Sequence, residues 1–229
     1  MDFKELNKDL EHITEVILKH TPLKNPVLNE LYSMHKNINP LIERDKFTSA
    51  FLISAGAHAN RQRFKGEPFF SHECRTAYIC NLLSKNNTVI YIGQMHDCVE
   101  DSKSKDSYAL EIYKKFGRDV FLGVIGLCKL QNDTNQFFRL ECFRDKYVSN
   151  IEIVKISDVL DNLTSVEYLP ARPGETAKER QVNFCDTANN YGISMAERFD
   201  KANKTNVAGY MRELLEMNYK RLNKTGKGF

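Results

Sequence analysis

The segment His96-Asp97-Cys98-Val99-Glu100-Asp101 sets two metal-type ligands side by side and follows them with two more carboxylates. In a helix turning roughly 100° per residue, the four ionisable side chains share an arc of roughly 140°. His96/Glu100 and Asp97/Asp101 then become i,i+4 neighbours. Three acids and an imidazole on one face repel one another and resist burial. A divalent cation resolves that conflict, so the segment reads as part of a metal site. Ile90, Ile92, Met95 and Val99 make the surrounding positions apolar, which places the helix inside the protein. Ser102 to Ser107 form a polar loop, so the acids sit at a helix end, near solvent.

Two further segments bracket this one. Upstream runs His58-Ala-Asn-Arg-Gln-Arg63-Phe-Lys65-Gly-Glu-Pro-Phe-Phe-Ser-His72, and downstream Lys155-Ile-Ser-Asp158-Val-Leu-Asp-Asn162. The order of the three resembles the hydrolase domain of the RelA/SpoT homologues, and more closely its stand-alone form, the small alarmone hydrolases. The family pattern is A-H-x-x-Q-x-R-K-x-G-x-P-[YF]-x-x-H, then H-D-x-x-E-D, then K-L-A-D-[RK]-[LI]-x-N. The resemblance extends over residues 51–180 or so, with Phe116-Gly117 and Leu127 to Leu130 as additional matches.

The resemblance implies an all-α, compact helical HD-domain bundle. It implies Mn²⁺ as cofactor, held by His72, His96, Asp97 and Asp158, with Glu100 and Asp101 as the catalytic acids. Arg63, Asn162 and Ser165 fall where the family contacts the nucleotide. The implied reaction removes pyrophosphate from the 3′ position of (p)ppGpp. There are departures: the family's Arg-Lys pair is Arg63-Phe64 here, with Lys65 one position later as a substitute phosphate contact. Val159 replaces a basic residue and Asp161 a His or Tyr. These changes bear on the substrate and leave the metal set intact.

Donor chemistry by itself admits Mn²⁺, Fe²⁺, Co²⁺ or Zn²⁺. The alternatives to (p)ppGpp are (p)ppApp, NADPH or a deoxynucleotide. A third reading, from another class, is a regulator that binds nucleotide without turnover; the intact ligands and acids argue against it. His58 reads as a supporting or packing residue.

Bulk properties fit an ordinary globular chain. Its 229 residues are 41% hydrophobic and 28% charged, enough for one sizeable core. A net charge of +3 implies no general polyanion binding, so the expected partner is a small-molecule nucleotide rather than a nucleic acid. Lys220, Arg221, Lys224 and Lys227 read as a solvated, frayed tail. The six cysteines form no C-x-x-C pair and no zinc spacing, and they behave as small hydrophobes. With no signal peptide and no membrane-length apolar run, a reduced, cytoplasmic protein is expected. No oligomeric state is implied, and the chain ends too soon for a synthetase domain to follow.

Periodicity predicts helices near 2–19, 26–36, 43–62, 72–85, 88–101, 107–116, 118–129, 135–148, 151–168, 176–199 and 204–222. The first carries Phe3, Leu6, Leu10, Ile13 and Ile17 on one face, suited to core packing. Ser71 is the expected N-cap of the helix from His72, and Gly117 the C-cap of the helix ending at Phe116. Phe137, Phe138 and Tyr147 are expected in the core. One all-α domain over 1–229 is the reading.

Overall fold

Apolar spacing at 3.6 residues decides where this chain turns helical, and the computed structural model is all-α. It describes residues 3–19, 25–63, 66–128, 148–169, 171 and 173–224. The expected helix 135–148 apart from its last residue, with its aromatic residues Phe137, Phe138 and Tyr147, and Lys65 lie outside the described residues. Among the described residues, the one extended pairing is an isolated bridge between Gln62 and Pro68.

The described residues fall into two compact units, one within 4–157 and the other within 158–224. In the first, the helices are α1 (Phe3–Lys19), α2 (Asn25–Ile38), α3 (Arg44–Ala57), α4 (Phe70–Ser84), α5 (Asn87–Met95), α6 (Cys98–Asp101), α7 (Lys105–Phe116) and α8 (Arg118–Leu127). Helix α9 (Val148–Thr164) gives its first part to this unit and its remainder to the second. The second unit adds α10 (Ala177–Thr187), α11 (Ile193–Asn203) and α12 (Val207–Lys224).

Helix α4 is the axis of the first unit. Every residue from Phe70 to Asn81 is buried, so polar groups on it must find partners inside. Helix α5 lies close against it because Gly93 has no side chain; a Cβ there would stand 2.8 Å from Cys80 Sγ and 3.3 Å from Ala77 Cα. Leu6, Leu10, Ile13 and Ile17 of α1 are buried, as their spacing requires. In the second unit, Thr176 and Glu179 form a reciprocal capping box that starts α10. A π turn over Ala188–Gly192 then leads into α11. Asp200 accepts from the N–H groups of Val207 and Ala208, both at 2.8 Å, and so caps α12.

Several expectations need correction. The predicted helix 43–62 stops at Ala57, because Asn60 takes a left-handed φ of 64° and the chain folds back. The predicted helix 88–101 is broken at His96-Asp97 into α5 and α6. Ser71 is no N-cap: α4 starts one residue earlier, at Phe70, and the Ser71 hydroxyl is buried within the helix. Gly117 does cap α7, with φ 81° and its N–H on Tyr113 O at 2.9 Å. The predicted helix 151–168 ends at Thr164 and continues as a 3-10 turn over Val166–Tyr168. Lys220 and Arg221 are not frayed; they lie in α12, paired with Glu216 and Glu167.

Candidate metal centre

Three expected ligands converge in the first unit. His72 comes from the first turn of α4, while His96 and Asp97 form the corner between α5 and α6. Both imidazoles are buried. Their ring centroids are 5.1 Å apart, and Asp97 Oδ2 lies 3.4 Å from His96 Nε2 and 4.0 Å from His72 Nε2. The break at this corner is what turns the two ligands together: Asp97 has ψ −7°, and helix resumes only at Cys98.

His96 Nδ1 donates to Gly93 O at 2.9 Å. A carbonyl can only accept, so Nδ1 carries a proton and Nε2 is the ring atom turned towards Asp97. Gly93 thus serves twice, as the close-packing point of α5 and as the group that orients the His96 ring. A ring nitrogen facing a carboxylate at 3.4 Å is an arrangement that a shared cation would suit. Donors held at about 2.1 Å by one ion stand about 3–4 Å from one another, and the two separations from Asp97 Oδ2 match. Two nitrogens and a carboxylate oxygen fit a divalent metal.

Asp158 lies on α9, buried, with Asn162 Nδ2 donating to its Oδ1 at 2.6 Å and to its backbone carbonyl at 2.9 Å. Asn162 therefore holds this carboxylate in place. Ser165 is not on that helix as expected; it sits just past its end, its hydroxyl 3.3 Å from Asp161 O.

Glu100 and Asp101 make up the end of α6, both half-buried. Burial, and then the charge of Asp97, raise the Asp101 pKa against the pull of Arg61. Arg61 Nη1 lies 3.1 Å from Asp101 Oδ2 and also donates to Asp101 O at 3.1 Å. Arg63 stands two residues on, in a short hairpin where its N–H meets Glu67 O at 2.7 Å and Phe69 N–H meets Arg61 O at 2.9 Å. The hairpin is fastened to α4 by the buried ion pair Arg75–Glu67 at 2.6 Å. Gly66 closes it with φ 75°, a conformation other residues adopt at a cost.

Behind the ligands lies a second polar cluster, which sequence reasoning missed. Glu73, the residue after His72, is fully buried and accepts from Ser54 Oγ, from His58 Nε2 at 3.1 Å and from Cys98 Sγ at 3.4 Å. Burial opposes a charge on His58, but Glu73, helped by Asp97 and Asp101, outweighs it and raises the His58 pKa. His58, Glu73 and Cys98 are close enough together to hold an ion. However, each neighbour already donates a proton to Glu73, and burial pushes the Cys98 thiol well up, which keeps it protonated. The cluster reads as a brace joining α3, α4 and α6.

Glu73→Ala would leave three buried donors without their acceptor. It should cost ~3–5 kcal/mol of stability, read by urea denaturation, while Glu73→Gln, which still accepts, loses less. An unchanged midpoint in Glu73→Ala would contradict the brace.

The comparisons can now be set beside this geometry. No protein-family model matches the chain. It is 27% identical over 184 residues to the probable chloroplastic GTP diphosphokinase RSH3 of Arabidopsis thaliana, covering 77% of this chain and 25% of that protein. It is 26% identical over 166 residues to the probable guanosine-3′,5′-bis(diphosphate) 3′-pyrophosphohydrolase of Mycoplasma genitalium, covering 66% of this chain and 23% of the relative. The guanosine-3′,5′-bis(diphosphate) 3′-pyrophosphohydrolase of Haemophilus influenzae is 26% identical over 148 residues, 62% of this chain and 22% of its own length. The chain is similar to the RelA/SpoT homologues. It spans about a quarter of the length of these curated RelA/SpoT relatives. Among the described residues, no helix is long and apolar enough to cross a membrane.

Proposed function

We propose that this chain is a metal-dependent hydrolase that removes pyrophosphate from the 3′ position of (p)ppGpp, leaving GDP or GTP. The observation that carries the reading is the convergence of His72, His96 and Asp97, with the acids Glu100 and Asp101 one short helical turn beyond. The relatives named 3′-pyrophosphohydrolases support the substrate.

His72, His96, Asp97 and Asp158 would hold the ion, for which Mn²⁺ is the assignment the resemblance suggests. When bound, it supplies Lewis-acid polarisation of a phosphoryl oxygen and activation of water. The rest falls to the chain's own groups. Water attacks the phosphorus attached to the 3′ oxygen; the bond between them breaks, and that oxygen takes up a proton. Glu100 and Asp101 orient the water and accept its proton. Arg63 and Lys65 meet the polyphosphate, where a guanidinium forms charge-assisted hydrogen bonds. Asn162 steadies Asp158, and Asn162 and Ser165 supply polar contacts to the nucleotide.

A nucleotide panel tests the substrate. With Mn²⁺, (p)ppGpp should release pyrophosphate, while (p)ppApp, NADPH and deoxynucleotides should turn over more slowly. Preferred turnover of one of the latter would replace the alarmone as substrate. In the same assay Arg63→Ala should raise KM with metal content unchanged, a loss of about 1.5–3 kcal/mol in binding. Unchanged KM and kcat would remove Arg63 from the substrate site.

A further inference from the structure

Arg61 stands where the RelA/SpoT pattern has a Gln, and its guanidinium makes two bonds to one residue, Asp101, through side chain and backbone. Its Cζ lies 4.4 Å from the centroid of the Phe69 ring. The same ring packs on the His58 imidazole, with centroids 4.5 Å apart and planes at 33°. His58 in turn is held by the buried Glu73, next in sequence to His72. An unbroken line of contacts therefore runs from the metal ligand's neighbour, through His58, Phe69 and Arg61, to Asp101.

We propose that Arg61 is a positioning residue: it clamps Asp101 in the site and ties the hairpin bearing Arg63 to the acidic pair. The proposal rests on the hydrolase reading above. The clamp has a clear purpose. Asp101 shares its short helix with Glu100 and follows Asp97 by four residues, so like charges push it outward. A cation bonded to both its carboxylate and its carbonyl opposes that displacement. Stability is not the function, because the side chains of Arg61 and Asp101 are 41% and 29% exposed, and ion pairs in that setting stabilise little. Arg61 and Arg63 also share one hairpin, so a phosphate drawn to Arg63 meets an acid already fixed in place.

The competing role is direct contact of Arg61 with the substrate, and a double-mutant cycle separates the two. Arg61→Ala should lower kcat by roughly tenfold to a hundredfold while KM changes by less than about twofold. Arg61→Lys, which can still pair with the carboxylate, should recover part of the loss. In an Asp101→Asn background, Arg61→Ala should cost less than about twofold, because the clamped group is gone. A rise in KM alone, or an undiminished cost in that background, would overturn the clamp and make Arg61 a substrate contact. Hydrogen exchange supplies a readout that needs no substrate. Amides of residues 98–104 should exchange faster in Arg61→Ala than in wild type, and unchanged exchange would overturn the proposal. If wild type fails to hydrolyse (p)ppGpp, the functional reading falls and the exchange result still decides the clamp.

Discussion

Replacing Glu100 and Asp101 together by their amides should abolish most turnover without disturbing fold or metal content. Gln and Asn match the acids in size and still hydrogen-bond, so α6 and the contact from Arg61 to the Asp101 carbonyl persist. They cannot take a proton, and they bring no negative charge to orient water. Loss of general-base help typically costs roughly 10²–10⁴-fold in rate. The competing account is that these acids only tune metal affinity from behind the ligands. Saturating Mn²⁺ separates the two, because an affinity defect recovers as metal is added and a catalytic defect does not. Full recovery in Glu100→Gln/Asp101→Asn would end the catalytic assignment.

The second large effect is expected at the ligands. Asp97 Oδ2 faces both imidazole Nε2 atoms, at 3.4 Å and 4.0 Å, so it would bring the negative charge to a cation held there. Asp97→Asn removes that charge with little change of shape and should strip the protein of stoichiometric metal. Asp158→Asn should do the same. Elemental analysis of the purified variants beside wild type reads the result directly. Metal retained at the wild-type ratio in Asp97→Asn would remove Asp97 from the site.

What could be read from the residues alone divides along a physical line. The grouping of His72, His96 and Asp97 was legible, because these residues carry unusual chemistry at fixed order, and so was the helical class, because apolar spacing repeats along the chain. The geometry that makes the site work was not. A single helix over 88–101 accounts for the crowding of His96, Asp97, Glu100 and Asp101, yet the chain breaks at His96-Asp97 to bring the ligands against His72. Just before the break α5 presses on α4 at Gly93, a tertiary contact with no local signature. The hairpin before His72 was hidden for a similar reason: the chain enters it through a left-handed Asn60, and its anchor is Arg75 with Glu67, eight residues apart. Glu73 and Arg61 escaped notice because Glu and Arg are ordinarily surface residues. Here one is sealed inside a helix buried on all sides, and the other is bound to an acid forty positions away.

The central claim is that these residues hydrolyse an alarmone at its 3′ end, and product identity tests it most directly. Purified protein, Mn²⁺ and ppGpp should give GDP and pyrophosphate in equal amounts, followed by phosphorus NMR, with the reaction stopped by chelator. Orthophosphate as the released product, or intact ppGpp after prolonged incubation with metal-loaded protein, would contradict it.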